Sequence, residues 1–425
     1  MNRVVFLPLS DIVDKIIDYR GKTPFKHGGD WSEIGYRVLS ARNVKTKEIA
    51  QQSQIRHVNQ ELYSKWMRDE IEFGDIIITS EAPFGKVYQW NSDEKIVLGQ
   101  RLFALRCKNE YHAPYIFQYM TGETFSKELY GRSSGSTVIG IRQPELLKCR
   151  VAVPDFETQK QIAHVLSTLD RKIEVNNQIN SELEKLAKTI YEYWFVQFDF
   201  PNEHGKPYKS SGGEMVYNEV LKREIPKGWA VEKLVAVTKS IQSGGTPSRK
   251  ESSFFNGSVN WFTTTELNDK HLLNSSENVS AIAINNSSAK IFPIGSVLIA
   301  IYASPTAGRL GILTAEGAFN QAIAGIIPRD NFSTNYIYSI LLNERRRLLS
   351  KASGTAQQNL SSEIIKNFEV LNPCKEILIA YNQSIVSIFE KLSKNRTENL
   401  ELAKLRDFLL PMLMNGQVTV GGVNE

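Results

Sequence analysis

The chain says the same thing twice, and this repetition constrains its fold more than any other feature. Lys22-Thr23-Pro24 returns as Gly245-Thr246-Pro247, a shift of 246 − 23 = 223. Phe73-Gly74-Asp75-Ile76-Ile77-Ile78 returns as Ile294-Gly295-Ser296-Val297-Leu298-Ile299, at 295 − 74 = 221. Gln100 and Tyr115-Ile116 return as Gln321 and Tyr336-Ile337 at the same shift. Ser134-Gly135 and Pro154 return as Ser353-Gly354 and Pro373, at 373 − 154 = 219. Colinear order with so slow a drift marks a duplicated unit. The 425 residues, 41% of them hydrophobic, are too many for one ordinary core and apolar enough for two.

Each copy has two parts. Residues 1–153 and 225–372 are rich in short β-branched and aromatic runs broken by Gly, Pro, Asn and Ser, with short helical stretches such as Pro114–Tyr119 and Thr334–Leu349. That pattern predicts α+β domains. Residues 154–200 and 373–425 read as long helices. Between Thr158 and Trp194 there is neither Gly nor Pro, and Ile162, Leu166, Leu169, Ile173, Leu183, Ala187, Ile190 and Trp194 form a heptad seam. Lys375 to Met414 repeats it with Ile385, Ile388, Leu392, Leu402, Leu409 and Leu413, Pro411 being confined to a frayed or kinked last turn. At about 1.5 Å per residue each helix approaches ~60 Å, the length of a spacer. Residues 201–224, with Ser210-Ser211-Gly212-Gly213, have the composition of an exposed linker.

Both seams carry asparagines at equivalent places: Asn176 and Asn180, then Asn395 and Asn399, each pair shifted by 395 − 176 = 219. A buried seam asparagine needs an amide partner and thereby specifies register. Antiparallel packing with asparagine facing asparagine requires 176 + 399 = 180 + 395 = 575. The same constant sets Ile173 against Leu402, Leu183 against Leu392, Leu166 against Leu409 and Ile190 against Ile385, and leaves Arg406 opposite Leu169 as a misfit. The alternative is that the four asparagines face water where the helices splay.

A net charge of +5 is compatible with nucleic acid without establishing it. Cys107, Cys149 and Cys374 form no metal clip or disulfide framework, which suits a reducing cytosol. Met1–Leu9 is unlike a signal peptide, and no apolar run approaches the ~20 residues of a membrane span, so a soluble cytoplasmic protein is expected. The catalytic motifs sought are missing. The nearest string to an amino-methyltransferase motif, Asn372-Pro373-Cys374-Lys375, lacks the second proline and the stacking ring. There is no phosphate-binding Gly-x-x-x-x-Gly-Lys loop. Pro83 with Asp93-Glu94-Lys95 is a weak match to a metal nuclease, and the six histidines have no ligand spacing. No metal and no cofactor are expected on this chain.

DNA readers aim cationic and amide side chains from rigid loops. In the first copy the candidates are Arg20, Lys22 and Thr23, then Arg132, Ser134 and Ser136 followed by Arg142, with Arg37, Arg42 and Arg101 outside those loops. In the second they are Gln242, Thr246, Arg249 and Lys250, then Ser353, Thr355, Gln357, Gln358 and Asn359, with Arg309 and Gln321.

The order of domain, long helix, domain, long helix resembles the specificity (S) subunit of type I restriction-modification systems, over almost the whole chain. Pro154-Asp155-Phe156-Glu157-Thr158-Gln159-Lys160-Gln161-Ile162 is similar to that family's helix opening, and Leu166 to Ile179, Glu182 to Ala187, Tyr193 to Pro201 and Ile225-Pro226-Lys227-Gly228-Trp229 match as well. Three places depart: Thr158 stands where Glu is usual, Cys374 to Ala380 lacks the Glu-Gln opening, and Phe6-Leu7-Pro8-Leu9 lacks the Pro-x-Gly-Trp string. The resemblance implies that each domain reads one half of a split double-stranded DNA target while the helices set the unread gap. It also implies two modification subunits, bringing S-adenosylmethionine and adenine-N6 methylation, and restriction subunits bringing ATP, Mg and nuclease activity. A stand-alone two-domain DNA-binding regulator is the alternative.

Overall fold

The duplication is written into the strand order. The computed structural model describes residues 4–302, 305–352 and 360–421. In the first copy, strands order as Val13–Asp18, Leu102–Cys107, Ile76–Thr79, Val87–Gln89; in the second, Thr238–Ser243, Ile323–Pro328, Val297–Ala300, Leu310–Leu313, extended by Lys270–Leu272. A second sheet places Tyr36–Leu39 between Arg56–Val58 and Val97–Leu98, just as Val259–Phe262 lies between Glu277–Val279 and Gly317–Phe319. A third pairs Val5–Pro8 with Arg150–Val153, matched by Ala230–Lys233 with Glu369–Asn372. The central strands Ile76–Thr79 and Val297–Ala300 are buried along their whole length, as the unbroken apolar runs require.

The long helices run Phe156–Tyr191 and Lys375–Met414. The first opens on Asp155, whose carboxylate accepts from the Thr158 N–H at 2.9 Å and from the Thr158 hydroxyl at 2.8 Å. Asp155 therefore supplies the cap, and Thr158 takes part in it without the usual glutamate. The second helix begins at Lys375 without the Glu-Gln opening, and Pro411 sits in its last turn.

Two compact units result, residues 1–173 with 401–425 and residues 174–400. In the first, Leu166, Leu410, Leu413 and Met414 join the core built on Leu9, Phe103, Tyr115 and Val151. Asp170 bonds Arg406 at 3.0 Å, and Leu166, four residues earlier, shares a core with Leu410, four residues later, so the helices are antiparallel there. The seam misfit at Arg406 is thus removed by the neighbouring carboxylate. Burial would raise the Asp170 carboxyl, but Lys47, the Gln118 amide and Arg406 outweigh it and hold it below the usual range.

In the second unit the helices are antiparallel as well. Asn176 Nδ2 donates to Asn399 Oδ1, and Asn395 Nδ2 donates to Asn180 Oδ1, both at 2.9 Å. Asn176, Asn180 and Asn395 are buried rather than facing water. Leu183, Ile190, Ile385 and Leu392 belong to one apolar cluster. After Tyr191 the first helix loosens into a π turn, Glu192–Val196, and the chain folds back so that Phe200 stacks on Trp229 with ring centroids 5.1 Å apart. The segment read as a linker is exposed but ordered: Met215–Asn218 pairs with Arg223–Pro226, and Phe200 stacks on Tyr208. The apolar side chains inside that polar stretch give it a partner, which its composition conceals.

Candidate nucleic-acid interface

In the first domain the loops singled out from sequence converge on two adjoining hollows. A hollow of about 310 Å³ is lined by Lys22, Thr23, Arg42, Arg56, Gln100 and Arg101, among others. An open trough of about 640 Å³ shares Thr23, Gln100 and Arg101 and adds Arg20, Lys26, Ser134 and Arg142. The Gly131–Thr137 loop is no loose turn: Ser134 and Gly140 exchange both backbone hydrogen bonds at 2.9 Å. Gly135, at φ 111°, lies so close to the Val138 carbonyl that a Cβ would sit 2.1 Å from its oxygen. Only glycine fits there.

The cations differ in how free they are. Lys22 and Arg42 are exposed and carry no side-chain partner among the described residues. Arg101 pairs with Glu81 at 3.0 Å. Arg20 forks onto Asp18 at 2.9 and 2.8 Å and lies 3.9 Å over the Phe103 ring, which aims it rather than leaving it mobile. Arg37 is forked onto Glu94, and Arg132 is held between Glu128 at 3.1 Å and Glu145 at 3.8 Å. Arg37 and Arg132 line neither hollow, and Ser136 is exposed beside the trough-lining Ser134 and Gly135.

Sequence reading missed Arg56 and Lys26. Arg56 reaches the site because its strand pairs with Tyr36–Leu39, a long-range contact without a local signal. Lys26 donates to the Gly21 carbonyl at 2.6 Å inside the first loop, where the adjacent Lys22-Thr23-Pro24 was the only marker.

In the second domain the corresponding residues bind one another. The Thr246 hydroxyl donates to the Gln321 amide oxygen, the Trp261 indole N–H to the Gly245 carbonyl at 3.0 Å, and Arg249 forks onto Glu277 at 2.5 and 2.8 Å. Gln242 donates to Ser240 and accepts from Lys290, both at 2.9 Å. Lys250 is exposed and Arg309 half-buried. Ser353, Thr355, Gln357, Gln358 and Asn359 lie outside the described residues. Among the described residues no group of three or more His, Cys, Asp or Glu is placed to hold a metal ion, and no helix is long and apolar enough to cross a membrane.

Comparison with known proteins agrees with this duplicated geometry. The family model for the type I restriction modification DNA specificity domain matches residues 2–185 and again 226–406. The chain is 28% identical over 374 residues to the type I restriction enzyme HindI specificity subunit of Haemophilus influenzae, covering 76% of this chain and 78% of that one. It is also 28% identical over 362 residues to the MjaIX specificity subunit of Methanocaldococcus jannaschii, covering 82% and 78%. The crystal structure of a type I restriction-modification S subunit from M. genitalium shares the fold, with a TM-score of 0.61 at 14% identity over 97% of this chain and 96% of that one. Matched twice, once on each structural repeat and over most of its length, the chain belongs to the type I restriction modification DNA specificity family.

Proposed function

We propose that this DNA specificity subunit reads a bipartite double-stranded target, each domain taking one half-site and the helices setting the gap. The single observation that carries the reading is the doubling: the specificity domain matches twice, and the same strand order recurs under each match. In the first domain, uncommitted Lys22 and Arg42 neutralise phosphates, while the aimed Arg20 and the Gln100 amide face base edges. The chain itself catalyses nothing in this reading. Two modification subunits dock on it and supply S-adenosylmethionine binding and adenine-N6 transfer, while restriction subunits supply ATP- and Mg-dependent cleavage.

The test is reconstitution with the cognate modification subunit. A complex with two modification subunits per chain, methylating one split motif, is expected. Specific binding that needs no partner would instead favour a stand-alone regulator.

A further inference from the structure

The smaller hollow of the first domain has walls that reading the edge of a stacked base pair does not use. Trp31 and Trp66 line it, and the Arg56 guanidinium lies 3.6 Å over the Trp31 ring. Trp66 is 2% exposed, yet its indole N–H has no acceptor among the described residues. That N–H is itself closed off, so Trp66 gives the hollow a nearly sealed apolar wall rather than a donor. The Gln100 amide, at the rim, also has no partner within the described chain and offers both a donor and an acceptor. A phosphate has no use for a ring; the Trp31 ring with its stacked guanidinium, beside an edge-reading amide, fits a flat heterocycle.

A second feature lies one residue from the wall. Phe25 is 89% exposed and follows Pro24, which lines the hollow. An aromatic side chain this free beside a DNA-reading surface can wedge between base steps. The second domain lacks the combination. Its counterpart of Phe25 is Ser248, since 248 − 25 = 223, and its counterparts of Thr23 and Gln100, Thr246 and Gln321, are bonded to each other.

We propose that the hollow between Trp31 and Trp66 receives one nucleobase extruded from the half-site read by the first domain, with Phe25 entering the stack in its place. This rests on the reading of the chain as a DNA specificity subunit. The second domain reads its half-site without extrusion at the matching position.

The experiment uses the chain assembled with its modification subunits and target duplexes in which, position by position, only the opposite base is changed to make a mispair. Unpairing favours extrusion, so one position in the first half-site should bind about tenfold tighter when mispaired, whereas edge-read positions weaken. That tightening should vanish with Trp31→Ala. With the solvent-exposed Phe25→Ala, which leaves the core untouched, binding to the paired duplex should weaken about tenfold and binding to the mispaired one much less. A modification subunit extruding its own adenine adds tightened positions in both half-sites, and those survive both substitutions. If every tightened position survives them while the wild-type complex still prefers its target, the extrusion is overturned and the specificity reading stands. If the wild-type complex shows no sequence preference, both fall.

Discussion

Asp170 shows how single residues anchor the helices to the first domain. Its carboxylate takes Lys47 at 2.6 Å, the Gln118 amide at 2.8 Å and Arg406 at 3.0 Å, with all three charged side chains about one-fifth exposed. Asp170→Asn leaves the poorly solvated Lys47 without its anion and Arg406 with Asp407 alone, and should cost about 2–3 kcal/mol, read as a lower urea midpoint of the first unit. Because the folded carboxyl is held below its ordinary value, this stabilisation is present at neutral pH and lost as pH falls through that lowered range. His271 sets a second acid limit. Burial, then the Arg396 charge, lowers its pKa from 6.5 to about 4, and Arg396 donates to Nδ1 at 3.0 Å, which fixes the neutral ring with its proton on Nε2. The unfolded chain takes up a proton below 6.5 that the folded one refuses, so stability falls between pH 6.5 and 4 by up to roughly 3 kcal/mol. His271→Gln should flatten that part of the urea-midpoint profile; an unchanged slope would count against it. At this scale the sequence reveals residue type but not commitment. Arg37 and Arg42 look alike in the string, yet the first is forked onto Glu94 and the second is free among the described residues, a difference set by a carboxylate 57 positions away.

The elements were more legible, because their spacing obeys simple periods. The register constant of 575 follows from four asparagines and the heptad, and the bonds Asn176–Asn399 and Asn395–Asn180 meet it. Asn395 Oδ1 has no partner among the described residues, so Asn180→Leu would leave a fully buried amide with neither of its groups satisfied by the layer it belongs to. A loss of about 1–3 kcal/mol is expected, with much of it recovered in the Asn180→Leu, Asn395→Leu double variant, and a double-mutant cycle measures the coupling. The π turn at Glu192–Val196 and the hairpin of Met215–Asn218 with Arg223–Pro226 are illegible, since the heptad does not mark where a helix loosens and a polar composition conceals the contacts of Phe200 with Trp229 and Tyr208. The sheet order of each domain was hidden too. Its neighbours, such as Val13–Asp18 beside Leu102–Cys107, are long-range pairs that no local pattern encodes.

For the whole molecule, in the proposed function, the two long helices in set register hold the reading domains at a fixed separation. Inserting about seven residues, two helical turns, into each long helix at the asparagine layer lengthens the pair by ~10 Å, and should widen the unread gap by about three base pairs with both half-sites unchanged. The central claim, that each domain reads its own half-site, is tested most directly by mapping methylated adenines in DNA modified by the assembled complex, using single-molecule sequencing. The wild-type chain should yield one asymmetric split motif. A chimera with residues 225–372 replaced by the matching segment of a relative should keep one half of that motif and change the other. A continuous motif, or a chimera in which both halves change, would contradict the account.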